Sequence, residues 1–173
     1  MRLFGRKILL APQPWAATAV GLAVAADPDA AVFVRETPTR LFGVWREADG
    51  GREKVFDPIL GKRELPQPGA PIVVERRYRP SHAIGHLRFF ECSALDGNGQ
   101  PAGDLTPWDE IRFPYDPGLA DRHELAELPV ERRAVLADEI VETYTHAPDG
   151  TIEVAIENRT SGYRRVYPLG ALR

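Results

Sequence analysis

From residue 40 onward, apolar positions recur at every second residue in short runs, each cut off by glycine, proline or a polar cluster. Such period-2 runs predict half-buried strands, because side chains of a strand alternate between faces. Residues 40–46 predict a strand with Leu41, Gly43 and Trp45 on one face and Phe42 and Val44 on the other. Residues 53–60, 71–78 and 84–92 predict three more, and 110–115 is a further candidate. Ile140, Glu142 and Tyr144 alternate with Val141, Thr143 and Thr145, and Ile152, Val154 and Ile156 share a face after a Pro148-Asp149-Gly150 turn. A second turn at 158–162 leads to a last strand at 163–167, so the C-terminal part predicts two linked hairpins. Residues 95–107 read as a long polar loop. Residues 117–136 are the least strand-like stretch, a helix or a solvated excursion. Upstream, residues 2–10 predict a short strand and the alanine-rich residues 15–26 a helix. The expectation is an all-β antiparallel sandwich over residues 40–173. A strand-plus-helix segment (residues 1–30) and a connecting stretch (31–39) precede it.

Composition narrows the function classes. At 173 residues the chain has room for one moderate domain and hardly two. A net charge of -3 gives no electrostatic case for nucleic acid, so the basic run Glu75-Arg76-Arg77-Tyr78-Arg79 reads as a solvent-facing strand. Cys92 stands alone, which excludes an internal disulfide and fits the reducing cytoplasm. Arg2, Arg6 and Lys7 followed by an apolar stretch resemble a secretory signal, but Pro12-Gln13-Pro14 breaks its core. The apolar run 15–26 is too short to span a bilayer, so no membrane partner is expected.

Candidate chemistry is sparse. His82 and His86 lie roughly 13 Å apart if both sit on one strand, too far to share a metal. Asp104, Asp109, Glu110 and Asp116 form an acidic stretch that reads as a solvated loop before it reads as an acid–base pair. Asp96-Gly97-Asn98-Gly99 lacks the terminal glutamate of a calcium loop. No metal, cofactor or catalytic set is expected, and the chain is read as a non-enzyme.

The wording of the two C-terminal hairpins carries more. Ile140-Val141-Glu142-Thr143-Tyr144, then Asp149-Gly150-Thr151-Ile152-Glu153-Val154, resembles the closing hairpin of the substrate-binding sandwich in the heat-shock-70 chaperone family, roughly I-E-V-T-F-D-I-D-A-D-G-I-L-H-V-S-A. Glu157 to Gly162 sits where that family has its Lys/Ser/Gly turn. Glu36-Thr37-Pro38-Thr39-Arg40-Leu41-Phe42-Gly43-Val44 resembles D-V-T-P-L-S-L-G-I. Phe56 to Pro66 resembles L-I-x-R-N-T-x-I-P. Residues 15–26 look like the last helix of the family's nucleotide-binding domain, and Val32-Phe33-Val34 stands in for its leucine-rich linker. The chain departs from the family in lacking a phosphate loop, a catalytic Lys/Asp set and a helical lid.

The resemblance implies chaperone-like, stress-related binding of an extended or unfolded polypeptide in a channel through the sandwich. Carried over by position, Phe42 and Val44 fall on the first pocket-forming strand, Val73 and Val74 on the next, and Ile84, Leu87 and Phe89 on the one after. Ordinary core packing is the competing role for each. Glu47 on one side and Arg76 and Arg77 on the other take the place of the arch over the peptide, or close the channel by an ion pair. The alternative reading is a structural or partner-docking module with a collapsed channel. It would work with a separate ATPase or co-chaperone chain, and sheet edges offer a route to self-association.

Overall fold

The computed structural model describes residues 2–3, 6–7, 12–27, 29–30, 39–48, 52–61, 70–122, 124–132 and 137–171. The chain divides into two compact units, Met1–Glu36 and Thr37–Arg173. The stretch 31–38, which holds most of the expected connection and Val32-Phe33-Val34, lies outside the described residues.

In the first unit, β1 (Arg2–Leu3) and β2 (Arg6–Lys7) pair antiparallel in place of the single strand expected over 2–10. A 3-10 turn at Pro14–Ala16 leads into α1 (Ala17–Ala26). Proline suits that opening turn, since its missing N–H would have no partner there. Five alanines give α1 its helical propensity, and Asp27 leaves the helix in an extended conformation. The helix is apolar on every side and buries none of its residues.

The second unit is all-β, a sandwich-like fold of two four-stranded antiparallel sheets. The first sheet runs β4 (Glu53–Leu60), β3 (Leu41–Ala48), β6 (Ile84–Leu95) and β7 (Pro101–Pro114). The second runs β10 (Arg164–Leu169), β9 (Ile152–Asn158), β8 (Ile140–His146) and β5 (Ile72–Tyr78). Phe42, Val44, Leu87, Phe89, Ile111 and Phe113 of the first sheet form one core with Ile140, Tyr144, Val154 and Ile156 of the second. Phe89 meets Tyr144 edge-on across the sheets at 6.1 Å.

One expectation changes, and one of two alternatives is selected. The polar loop at 95–107 is instead a short turn between two long strands, β6 and β7. Asp96 makes the turn by accepting the N–H of Asn98 and of Gln100 at 2.8 Å each. Polar residues follow because β7 is an edge strand with a wet face. The stretch 117–132 contains a 3-10 turn at Pro117–Leu119 but no α-helix among its described residues. It is pinned by Leu125, buried with Ala83 and Ile84, and by Arg112, which donates to the carbonyls of Leu125 and Leu128.

The C-terminal hairpins form as their pattern predicts. Gly150 takes a φ of +87° in the β8–β9 turn, a conformation glycine adopts without strain. Buried Asn158 organises the next turn. Its side-chain oxygen accepts from Thr160 and Ser161, and its amide donates to the carbonyl of Tyr115.

Candidate functional site

The inward positions of β3 are Phe42, Val44 and Arg46; those of β8 are Ile140, Glu142 and Tyr144. Alternation therefore carries one charge of each sign into the space between the sheets. Glu142 is fully buried and so must be matched by donors. Arg46 supplies two, from Nη2 at 2.6 Å and Nη1 at 3.3 Å. Tyr144 donates its hydroxyl at 2.6 Å, and Tyr78 of β5 donates to the other carboxylate oxygen. Tyr78 has one proton to give, so Tyr115, 2.6 Å away, donates to Tyr78 in turn. That approach requires Gly85, because a Cβ there would collide with the Tyr115 ring.

Toward solvent the network continues through Asp57 of β4. Its carboxylate accepts from Arg46 Nε at 2.7 Å and from Arg76 of β5 through Nε and Nη2 at 3.0 Å each. Arg76 also donates to the carbonyl of Pro58 at 3.2 Å. Along the column, side-chain exposure is none at Glu142, 22% at Arg46, 18% at Asp57 and 34% at Arg76, so the inner end is dry and the outer end the wettest. A polar column thus leads from the centre of the sandwich to the seam between the β4 and β5 edges.

The electrostatics lock each group. Burial alone would lower the Arg46 guanidinium, but the charge and hydrogen bonds of Glu142 outweigh it and hold Arg46 above its ordinary value. Burial, then the negative charge of Glu142, push Tyr78 and Tyr144 well above the usual phenol range, and Tyr115 moves the same way. Burial would raise Asp57, yet hydrogen bonds from Arg76 and Arg46 bring it below the usual carboxylate range. These shifts move the groups away from proton exchange near neutral pH, so the column is suited to holding charge in place.

The residues expected at a peptide channel separate into three places. Phe42, Val44, Leu87 and Phe89 come together in the main core, with Val74 packed against them and the rings of Phe42 and Phe89 stacked at 5.7 Å. Ile84 belongs to a separate small cluster with Ala83 and Leu125. Val73, Glu47 and Arg77 face outward: Val73 is 58% exposed, Arg77 pairs with Glu75 at 2.6 Å, and Glu47 lies 3.6 Å from His82. Parity explains why the Glu47–Arg arch is not the pairing found. Glu47 is one residue past inward Arg46, and Arg77 one past inward Arg76, so the two point to opposite outer faces. Arg76 pairs instead with Asp57.

Arg46, Asp57, Glu142 and the three tyrosines went unremarked as a set in the sequence. The signal for two of them was parity: Glu142 falls in phase with Ile140 and Tyr144, and Arg46 with Phe42 and Val44. The other constellations disperse. His86 pairs with Glu110 at 2.9 Å, Asp109 accepts from the Gly170 amide, and Asp116 caps Gly118. Among the described residues no cluster of His, Cys, Asp and Glu could hold a metal ion, and no helix is long and apolar enough to cross a membrane. No protein-family model and no curated protein matches this chain.

Proposed function

We propose that residues 40–173 bind an extended polypeptide segment without chemistry of their own, as a divergent relative of the heat-shock-70 substrate-binding sandwich. The observation that carries this is the polar column. A fully buried carboxylate held by an arginine and two tyrosines is a costly thing to place in a small apolar core, and packing alone does not call for it. It continues the very strands on which the resemblance places the pocket: Arg46 follows Phe42 and Val44 on β3, and Arg76 follows Val74 on β5. Polar groups that orient a backbone beside apolar groups that take a side chain are what a polypeptide site needs. A cytoplasmic setting is part of this proposal, and a chain with a single cysteine, Cys92, is compatible with it.

The test is a fluorescence-anisotropy titration of the full chain with a labelled leucine-centred heptapeptide, beside an all-polar control. Saturable binding of the leucine peptide alone, weakened by Val74→Trp, supports the reading. Absence of binding by a folded chain at high micromolar concentration overturns it.

Two observations favour a second reading, a module that docks a separate protein chain, an ATPase or co-chaperone, with its channel closed. Val44 and Phe89 have no exposed surface, while α1 is apolar all round and buries none of its residues within its own unit. A helix without a polar face is ordinarily enclosed by other protein.

A further inference from the structure

We propose that the Arg76–Asp57 ion pair is a clasp between the two sheets, and that its opening is the step that admits a polypeptide to the polar column. The inference rests on the polypeptide-binding reading above and adds a regulation to it. Three observations support it.

The first is position. β4 is an edge strand of one sheet and β5 an edge strand of the other. Arg76 reaches from β5 to both carboxylate oxygens of Asp57 and to the backbone oxygen of Pro58 on β4. Among the described residues Arg76 is the side chain that bonds edge to edge along this seam, with Arg46 of β3 bonding Glu142 of β8 further in. On the opposite side, β7 is tied to the residue after β10 by one backbone bond, Asp109 N–H to the Gly170 carbonyl at 3.0 Å, and by one side-chain bond, Gly170 N–H to the Asp109 carboxylate at 2.8 Å. The first of these seams is held by an ion pair and the second by bonds that include a backbone pair.

The second is the difference in exposure between the two ends of the column. Arg76 is the most solvent-accessible member of the column, whereas Arg46 and Glu142 lie behind it. Water and salt reach the outer pair first, so it is the weaker of the two. The inner pair keeps its own hydrogen bonds when the outer one breaks, because Glu142 is held by Arg46, Tyr78 and Tyr144 independently of Arg76.

The third is what lies beneath. Opening the clasp uncovers the inward side of β5, where Val74 and Tyr78 flank Arg76, and the edge of β4 at Pro58. An extended segment entering there meets unpaired strand edge and apolar side chains together, the combination strand-adding ligands use.

The test compares the full-length wild type with Arg76→Gln. Hydrogen exchange of the β4 and β5 amides is measured beside stopped-flow anisotropy with the leucine-centred heptapeptide. Arg76→Gln is expected to speed exchange at β4 and β5, and peptide association, by about threefold each, the scale of one partly exposed ion pair. Raising salt from about 0.05 to about 0.5 M should speed the wild type in the same way and leave the variant unmoved. Arg76→Met keeps the apolar stem and removes the same ion pair, and it replaces the first variant if that fails to fold. Unchanged exchange in a folded variant overturns the clasp whatever the peptide does. Faster exchange with unchanged association overturns its role in access. Faster exchange with no peptide bound by any form overturns the polypeptide reading beneath it.

Discussion

Glu142→Ala removes the one carboxylate that meets Arg46, Tyr78 and Tyr144 together. It leaves a guanidinium between the sheets with Asp57 as its remaining counter-ion, and two hydroxyls without their acceptor. Taking one partner from a buried pair costs ~3–5 kcal/mol, because the other charge stays desolvated. Arg46 keeps Asp57 and about a fifth of its side-chain surface in water, which places the cost near the lower end, about 3 kcal/mol. The orphaned hydroxyls add ~1 kcal/mol or more. A loss of about 4 kcal/mol in a domain of this size lowers the melting midpoint by roughly 10–15 °C. Arg46→Met combined with Glu142→Gln removes both charges and keeps an acceptor for the tyrosines, so it should lie within ~2 kcal/mol of wild type. Urea unfolding followed by circular dichroism of wild type, Arg46→Met, Glu142→Gln and the double variant gives the four corners of this cycle, with Glu142→Ala measured beside them. A Glu142→Ala cost below ~1 kcal/mol, or additive single effects, would refute the claim that the two residues act as a buried pair.

Phe89→Ala should cost ~3–5 kcal/mol in the same assay, since Phe89 is fully buried between the sheets; a cost under ~1 kcal/mol would instead mark it as the wall of an open channel. Gly85→Ala should destabilise by ~1–3 kcal/mol by driving Tyr115 off Tyr78, and near-wild-type melting would show that the tyrosine chain does not depend on that close approach. Asp57 is depressed when folded, so its contribution is present above the ordinary carboxylate value of about 3.9 and is lost as pH falls below it. Asp57→Asn should therefore flatten the acid limb of a stability-versus-pH curve. Tyr78, Tyr115 and Tyr144 are raised when folded, so their contribution is complete below the unfolded value of about 10 and declines above it. Stability should fall steeply above that pH, and Tyr144→Phe should soften the fall.

The sandwich was legible because its strands alternate cleanly. Phe42 and Val44 turn inward as their spacing requires, and the turns at Gly150 and Asn158 fall where their residues predict. β7 was legible only at its end, as the candidate strand at 110–115, because Pro101 to Thr106 carries little apolar signal and pairs with β6 through two irregular steps in register. The site was legible in its strands and not in its chemistry. Alternation marks Glu142 and Arg46 as inward, but it cannot show that β3 and β8, far apart in sequence, face each other at those two rows. Asp57 and Arg76 depend on the approach of two sheet edges, which no local pattern encodes. Val74 and Val73 illustrate the same limit: adjacent in sequence, they stand on opposite faces of β5, one against the core and one in water.

The most direct test of the polypeptide reading is residue-resolved. Amide chemical shifts of the labelled full chain are followed while the leucine-centred heptapeptide is added. The account predicts saturable shifts concentrated at Arg46, Asp57, Val74, Arg76 and Glu142. Shifts confined to the outer face around Val73, Glu75 and Arg77, or none at all in a folded chain, would contradict it.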